Sequence, residues 1–299
     1  MSVLVVGSVA LDTIRTPMGR RRDVLGGSAV YFSVSASNFC RVNLVAVVGD
    51  DFPSRHVDFL RRKGVDVKGL VTASGKTFRW EGEYDWNFSD PRTISTKLNV
   101  FSGFDPDIPR EYRNSKYLFL ANIDPHIQER VLRQMTKPKL VACDTMNYWI
   151  ENKRPELVRL LKKVDILLLN ESEIRGLTGQ TNLIKAAKAV LRFGPGKVIV
   201  KKGEHGSLLF SGDHIFSAPA YLMESIIDPT GAGDTFAGGV IGYLATCRRQ
   251  THADLRKAIV YGSVMATFAV EDFSLRRLGS VGRDDILRRY RELKRLTYF

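Results

Sequence analysis

Six short apolar runs, VLVVG, NLVAVVG, YLFLAN, KLVACD, DILLLN and KVIVKKG, recur along the chain with helical patterns between most of them. Rich in Val, Ile and Leu and too short for core helices, they read as strands buried on both faces. The segments HIQERVLRQM, RPELVRLLKK and NLIKAAKAVLRF repeat apolar residues every three or four positions and read as the helices that cover them. This alternation predicts an α/β fold with a mostly parallel sheet. At 299 residues, one such core with a small appendage is expected.

VLVVGSVALD reads as a central strand ending at Gly7 and Asp12, and GGSAVYFSVSASNF as a helix packed closely on the sheet. SRHVDFLRRKG reads as an amphipathic helix closed by Gly64, and DDILRRYRELKRL as a final helix whose acidic start and basic finish suit its dipole. The character changes between Thr77 and Val100. TFRWEGEYDW and RTISTKLNV alternate polar with bulky residues around the turn NFSDP, as a hairpin with two dressed faces would. With the stretch from Thr13 to Val24 it predicts a small β layer. The expected division is a core of residues 1–12, 25–76 and 101–299, with residues 13–24 and 77–100 laid over it.

The net charge of +13 favours anionic partners. Its basic clusters, among them Arg20–Arg22, Arg61–Lys63 and Arg288–Arg289, are scattered, so a nucleic-acid partner is not expected. Cys40, Cys143 and Cys247 form no metal-knuckle spacing and suit a reducing compartment. No run is long enough to span a bilayer, and the start lacks a basic leader. A soluble, cytoplasmic protein is the expectation.

Open α/β sheets bind ligands beyond the carboxyl ends of their strands, where Asp12, Asp144, Asn170 and Gly203 each follow an apolar run. The densest signal lies further on, in DPTGAGDTFAGG, Asp228 to Gly239. After Gly233, Phe236, Val240, Tyr243 and Cys247 recur at helical spacing, so a helix opens at the glycines with its first N–H groups free for an anion. Asp234 in that first turn is either a dipole-stabilising acid or a base that accepts a hydroxyl proton. A helix N-terminus lowers a carboxylate's pKa and weakens it as a base, but phosphoryl transfer depends more on positioning. Other phosphate cradles fail on spacing, because the chain has no GxxxxGK[ST] loop and GSVALD lacks the further glycines of a dinucleotide fingerprint.

GSVALD, LGGSAV, VVGDD, NESE, KKGEHGS and DPTGAGDTFAGG occur in the order found in the PfkB, or ribokinase-like, carbohydrate and nucleoside kinases, and the chain resembles that family over nearly its whole length. The resemblance implies a three-layer α/β/α sandwich with a small β-sheet lid. It implies ATP and Mg2+ as cofactors, with K+ as a candidate monovalent cation. Asp234 would be the base, and Gly231, Ala232 and Gly233 the anion hole beside Asp228. Asn170 and Glu173 would lie near the phosphates, Glu173 facing magnesium through water; without the resemblance, NESE reads first as a capped helix. Lys202, Gly203 and Gly206 would border the nucleotide, with Lys201 an alternative to Lys202 as phosphate-directed charge. Gly262 and Ser263 resemble adenine-facing positions, although helix packing would also call for small residues.

On the acceptor side, Asp12 would bind substrate hydroxyls beside Gly26 and Gly27. Asp144 and Asn147 resemble an Asp-x-Asn element at longer spacing and without its arginine. Trp80, Tyr84 and Trp86 are candidates for a substrate ring, or for packing on the core or on a second subunit in a lid-mediated homodimer. The expected activity is ATP-dependent phosphorylation of a sugar or sugar derivative. A nucleoside acceptor is the near alternative, and a non-catalytic metabolite- or polyanion-binding role the distant one.

Overall fold

Val3 and Val5 point to one face of a sheet and Leu4 and Val6 to the other, and all four are fully buried. The structure, a computed structural model, describes residues 2–88 and 90–297. The chain begins with β1 (Ser2–Val6), β2 (Ala10–Thr16), β3 (Gly19–Gly26), α1 (Ser28–Ala36), β4 (Arg41–Gly49), α2 (Ser54–Arg62) and β5 (Val65–Ala73). It continues through β6 (Arg79–Glu83), β7 (Arg92–Lys97), β8 (Tyr117–Leu120), α3 (Pro125–Gln134), β9 (Leu140–Asp144), α4 (Asn147–Asn152) and α5 (Arg154–Leu161). There follow β10 (Ile166–Asn170), α6 (Glu171–Thr178), α7 (Leu183–Leu191), β11 (Lys197–Lys201), β12 (Ser207–Ser211) and β13 (His214–Ala218). Three helices, α8 (Ala232–Leu244), α9 (His252–Val270) and α10 (Arg283–Leu296), complete it.

Among the described residues, nine strands form the main sheet in the order β13-β12-β11-β10-β9-β8-β1-β4-β5. All its pairings are parallel except those of β11 with β12 and of β12 with β13. One face packs on α1, α8 and α9, the other on α3, α5, α6 and α7, which is the expected three-layer sandwich. Every residue of α1 is buried, and Phe32 stacks on Phe119 of β8 at a centroid distance of 4.1 Å. Such a stack contributes about 1 kcal/mol beyond its buried area.

Four strands form the second sheet, in the order β3-β2-β6-β7. Its inner face presents Ile14, Trp80 and Tyr84 to Phe273. Its outer face carries the ion pairs Arg15–Glu83 (3.3 Å) and Arg20–Glu81 (2.8 Å). The sheet reaches further than residues 13–24 and 77–100, because it also takes in Ala10–Asp12 and Leu25–Gly26. Asp12 is therefore not at the end of β1. The chain leaves the main sheet after Val6 through Gly7, where a Cβ would lie 2.6 Å from the Ala121 side chain.

The strand β5 escaped the periodicity argument because it is an edge strand with charged and apolar residues interleaved. The short β12 and β13 escaped it as well. Within the expected turn NFSDP, Ser89 lies outside the described residues.

The paired glycines of α8 set how closely its neighbours approach. A Cβ on Gly238 would lie 2.5 Å from the Phe32 carbonyl oxygen of α1, and one on Gly239 2.9 Å from Gly262 Cα of α9. Ser35 Oγ completes the contact by donating to the Thr235 carbonyl at 2.7 Å. Gly238→Ala should therefore destabilise the chain by roughly 1–3 kcal/mol through overpacking, seen as a lower Tm in thermal denaturation.

Candidate active site

The N-terminus of α8 lies at the carboxyl edge of the sheet. Gly231 takes a left-handed conformation, φ 74°, and a Cβ there would lie 2.3 Å from Tyr31 Cγ, so only glycine lets the loop lie flat on that ring. The N–H groups of Gly231 and Gly233 have no backbone partner among the described residues. They are the free donors an anion requires at a helix start. Asp228, 1% exposed, braces the loop by accepting from Thr230 N at 2.9 Å and from Ser274 N at 3.1 Å.

Beneath this loop the parallel strands deliver a cluster of charges. Lys201, at the end of β11, donates to Asp144 Oδ2, at the end of β9, at 3.0 Å. The same ammonium lies 3.1 Å from where a Gly233 Cβ would be. Burial alone would lower the lysine's pKa, but Asp144, Glu173 and Asp234 outweigh it and raise the pKa, so Lys201 stays cationic. Burial, reinforced by Asp144 and opposed by Lys201, pushes Asp234 up to about 7. The helix dipole therefore does not decide the basicity of Asp234. Its pKa falls where a base exchanges protons near neutrality.

Asn170 and Glu173 form a full capping box on α6: Asn170 Oδ1 accepts from Glu173 N at 2.8 Å, and Glu173 Oε2 accepts from Asn170 N at 2.6 Å. The capped helix is realised, and it leaves Glu173 beside the charge cluster, where burial raises its pKa to about 7 against the pull of Lys201. Ser172 between them reaches Asp90 of the β6–β7 hairpin at 3.1 Å, a link across the cleft that the sequence did not announce.

This donor set suits a magnesium nucleotide. Lys201 and the free loop N–H groups answer its anionic oxygens, and no hydrogen bond among the described residues engages Glu173 Oε1, leaving it for a metal-bound water. Among the described residues no three His, Cys, Asp or Glu side chains could hold a metal by themselves.

Asp12 lies on β2 opposite Trp80 of β6, 4% exposed. Burial, then the charges of Asp228 and Asp234, push its carboxyl up to about 8 against a backbone hydrogen bond from Gly27. Gly26 makes room for it: a Cβ there would sit 1.8 Å from Asp12 Oδ2. Gly27, φ 97°, passes so near Ser8 that a Cβ would lie 2.5 Å from its carbonyl oxygen. Above Asp12 are the half-buried Trp80 and the buried Tyr84, whose hydroxyl is 3.3 Å from Thr230 Oγ1 of the anion loop. Trp86 is 79% exposed and stands apart.

The remaining expected positions divide. Lys202 opens a turn, its N–H donating to the Gly206 carbonyl at 2.8 Å, and Lys201 is the lysine whose ammonium approaches Gly233 of the loop. Gly206 is held to glycine by Ala218, whose carbonyl oxygen would be 2.1 Å from a Cβ, whereas Gly203 has open space around it and φ 55°. Gly262 is spent on packing against Phe236 and Val240 of α8, and Ser263 beside it is buried. Asn147 Nδ2 approaches Ser172 Oγ at 3.5 Å, next to the Asn170–Glu173 capping box.

Compared with known families, residues 2–278 match the pfkB family carbohydrate kinases. A cytidine kinase of Thermococcus kodakarensis is 32% identical over 249 residues, covering 81% of this chain and 88% of the relative. A nucleoside kinase of Methanothermobacter thermautotrophicus is 26% identical, covering 90% and 89% respectively. The fold superposes on that of a Burkholderia thailandensis nucleoside kinase in complex with inosine with a TM-score of 0.81 and 17% identity, over 97% of each chain.

The raised pKa of Asp234 has a stability consequence of definite sign. The unfolded carboxyl ionises near 3.8 and the folded one near 7, so its penalty on folding is absent below 3.8, grows between the two values and is complete above about 7. Asp234→Asn removes that penalty. The Tm of the variant relative to the parent should therefore rise as pH is raised from 4 to 7, then level off.

Proposed function

Because this chain belongs to the pfkB family of carbohydrate kinases, and is thus a phosphotransferase with an alcohol group as acceptor, we propose that it transfers the γ-phosphoryl group of ATP to a hydroxyl of a nucleoside. The observation that carries the choice of acceptor is the inner face of the small sheet. Trp80, Tyr84 and Phe88 gather there with Phe273 beside Asp12, an aromatic platform for a base next to a carboxylate for ribose hydroxyls. The names of the cytidine and nucleoside kinases among its relatives point the same way. A free sugar or sugar derivative is the second reading, since Asp12 suits its hydroxyls equally well. The non-catalytic reading is set aside for a chain of this family whose Asp234 and glycine loop are intact.

In this reading Asp12 orients the acceptor with its reactive hydroxyl toward Asp234. Asp234 takes the hydroxyl proton as the oxygen bonds to the γ-phosphorus and the bond from that phosphorus to the departing ADP breaks. The N–H groups around Gly231, Ala232 and Gly233, with Lys201, stabilise charge on the moving phosphoryl group. Magnesium ATP, when bound, would supply that group and a cation to neutralise its oxygens, and Glu173 would hold the metal through water with Asn170 beside the phosphates. Gly203 and Gly206 border the nucleotide. The small sheet closes on the acceptor and keeps water from the phosphoryl group.

We extend the reading to a monovalent cation such as K+, for which the buried Asp228 is the anchor, since a bound cation would offset the burial and the Asp272 charge that disfavour its ionised form. A homodimer through the small sheet would use its edge strand β7 and the exposed Ile94. No helix among the described residues is long and apolar enough to cross a membrane. We place the reaction in the cytoplasm, where ATP is supplied and three unpaired cysteines stay reduced.

The test is ADP release with magnesium ATP across a panel of nucleosides and sugars. A nucleoside should give the highest kcat/KM, and turnover confined to free sugars would overturn that choice. Its kcat/KM should climb with pH across about 7 to 8, as Asp234 and then Asp12 ionise. Asp234→Asn should lower kcat roughly 100- to 10,000-fold while ATP still binds. Lys201→Ala should weaken ATP use, whereas Lys202→Ala should leave it unchanged.

A further inference from the structure

One contact in the cleft serves neither the phosphoryl transfer above nor the packing of the core. Ser172 Oγ of α6 donates to Asp90 Oδ2 at 3.1 Å and so joins the β6–β7 hairpin to the helix capped by Asn170 and Glu173. Thr16, Tyr84 and Arg79 tie the small sheet to the core at Ile227, Thr230 and Asp51, none of them on α6. Among the described residues, Asp90 alone fastens it to α6 by a hydrogen bond.

The two partners can bond without cost to their neighbours. Asn170 Oδ1 is the other acceptor within reach of the Ser172 hydroxyl, at 2.8 Å, but it already takes a hydrogen from Glu173 N. The single proton of the hydroxyl is therefore free to turn to Asp90. Asp90 is carried by a braced hairpin, in which Glu83 pairs with Arg92 across the strands and with Arg15 at 3.3 Å. Both Asp90 and Ser172 are exposed, so their bond opens and closes without disturbing the core. Charge strengthens such a bond and water weakens it, which leaves roughly a five-fold preference for the closed arrangement.

We propose that Asp90 is the catch of the small sheet: by accepting from Ser172 it favours the arrangement closed over the acceptor and so tightens acceptor binding. The proposal rests on the reading that the small sheet closes on the acceptor, and it holds for a nucleoside or a sugar alike. Asp90 is then a positioning residue that acts through the population of the closed state. Removing the catch lowers the closed fraction, and the apparent acceptor affinity falls by the same factor. The geometry of the closed complex, and with it the rate of transfer, is kept.

The experiment compares the full-length chain with Asp90→Ala, Ser172→Ala and the double variant, using whichever acceptor of the panel above has the highest kcat/KM. Asp90→Ala should raise the acceptor KM about five-fold at saturating magnesium ATP, with kcat changed by less than about two-fold and the ATP KM unchanged. Ser172→Ala should match it, and the double variant should be no worse than either, because both remove one bond. Closure is also read without any acceptor, by acrylamide quenching of tryptophan fluorescence in a Trp86→Phe background, which removes the exposed indole. There Asp90→Ala should leave the half-buried Trp80 easier to quench.

An unchanged acceptor KM in Asp90→Ala, or losses that multiply in the double variant, would overturn the proposal. So would a lowered Tm with both KM values rising together, which returns the contact to the folding of α6. If a sugar proves the best acceptor, the nucleoside reading fails by itself and the same comparison is made on that sugar. If no acceptor of the panel turns over, the quenching decides, and equal quenching in Asp90→Ala and its parent overturns the catch.

Discussion

One ammonium among three carboxylates organises this protein. Lys201 is held by Asp144 at 3.0 Å and faces Glu173 and Asp234, with little solvent to screen any of them. The arrangement depends on the parallel sheet, because β9, β10 and β11 all end at the same edge and deliver Asp144, Asn170 and Lys201 side by side. Two acids raised toward neutrality and one lysine fixed as a cation are the consequence. A site that must bind a polyanion and also remove a proton needs both conditions at once.

The second constraint is close approach. Glycines at 26, 231, 238 and 239 each stand where a Cβ would meet another part of the chain, and the partner is different in every case. Gly26 admits the carboxylate of Asp12, Gly231 admits the ring of Tyr31, and the α8 pair admits α1 and α9. Together they bring the acceptor side and the anion loop into one cleft. The small sheet then closes that cleft with apolar side chains inward and ion pairs outward.

Much of this was legible in the residues. Buried parallel strands announce themselves as unbroken apolar runs, and the helix at Gly233 as a change of period, so the sandwich and the anion loop could be read directly. Alternatives open in the sequence sometimes proved compatible: NESE is a capping box and also lies beside the charge cluster. Other readings needed correction. Asp12 belongs to the second sheet, because the chain leaves the first after Val6, and of the two lysines the sequence left open it is Lys201, at the end of β11, that approaches the loop. The edge strand β5 was hidden by its charged residues, since an edge has one side open to water and need not be uniformly apolar.

The sequence by itself determined the layers, the family and the chemistry available at DPTGAGDTFAGG, because periodicity and backbone freedom are local properties. Only the tertiary structure decided how strong a base Asp234 is. Its helix position lowers its pKa, while burial and Asp144, 90 residues earlier in the chain, raise it further. It also decided that Asp12 lies close enough to Asp228 and Asp234 for their charges to disfavour its own. Electrostatic free energy depends on distance and solvent access, which sequence spacing does not encode.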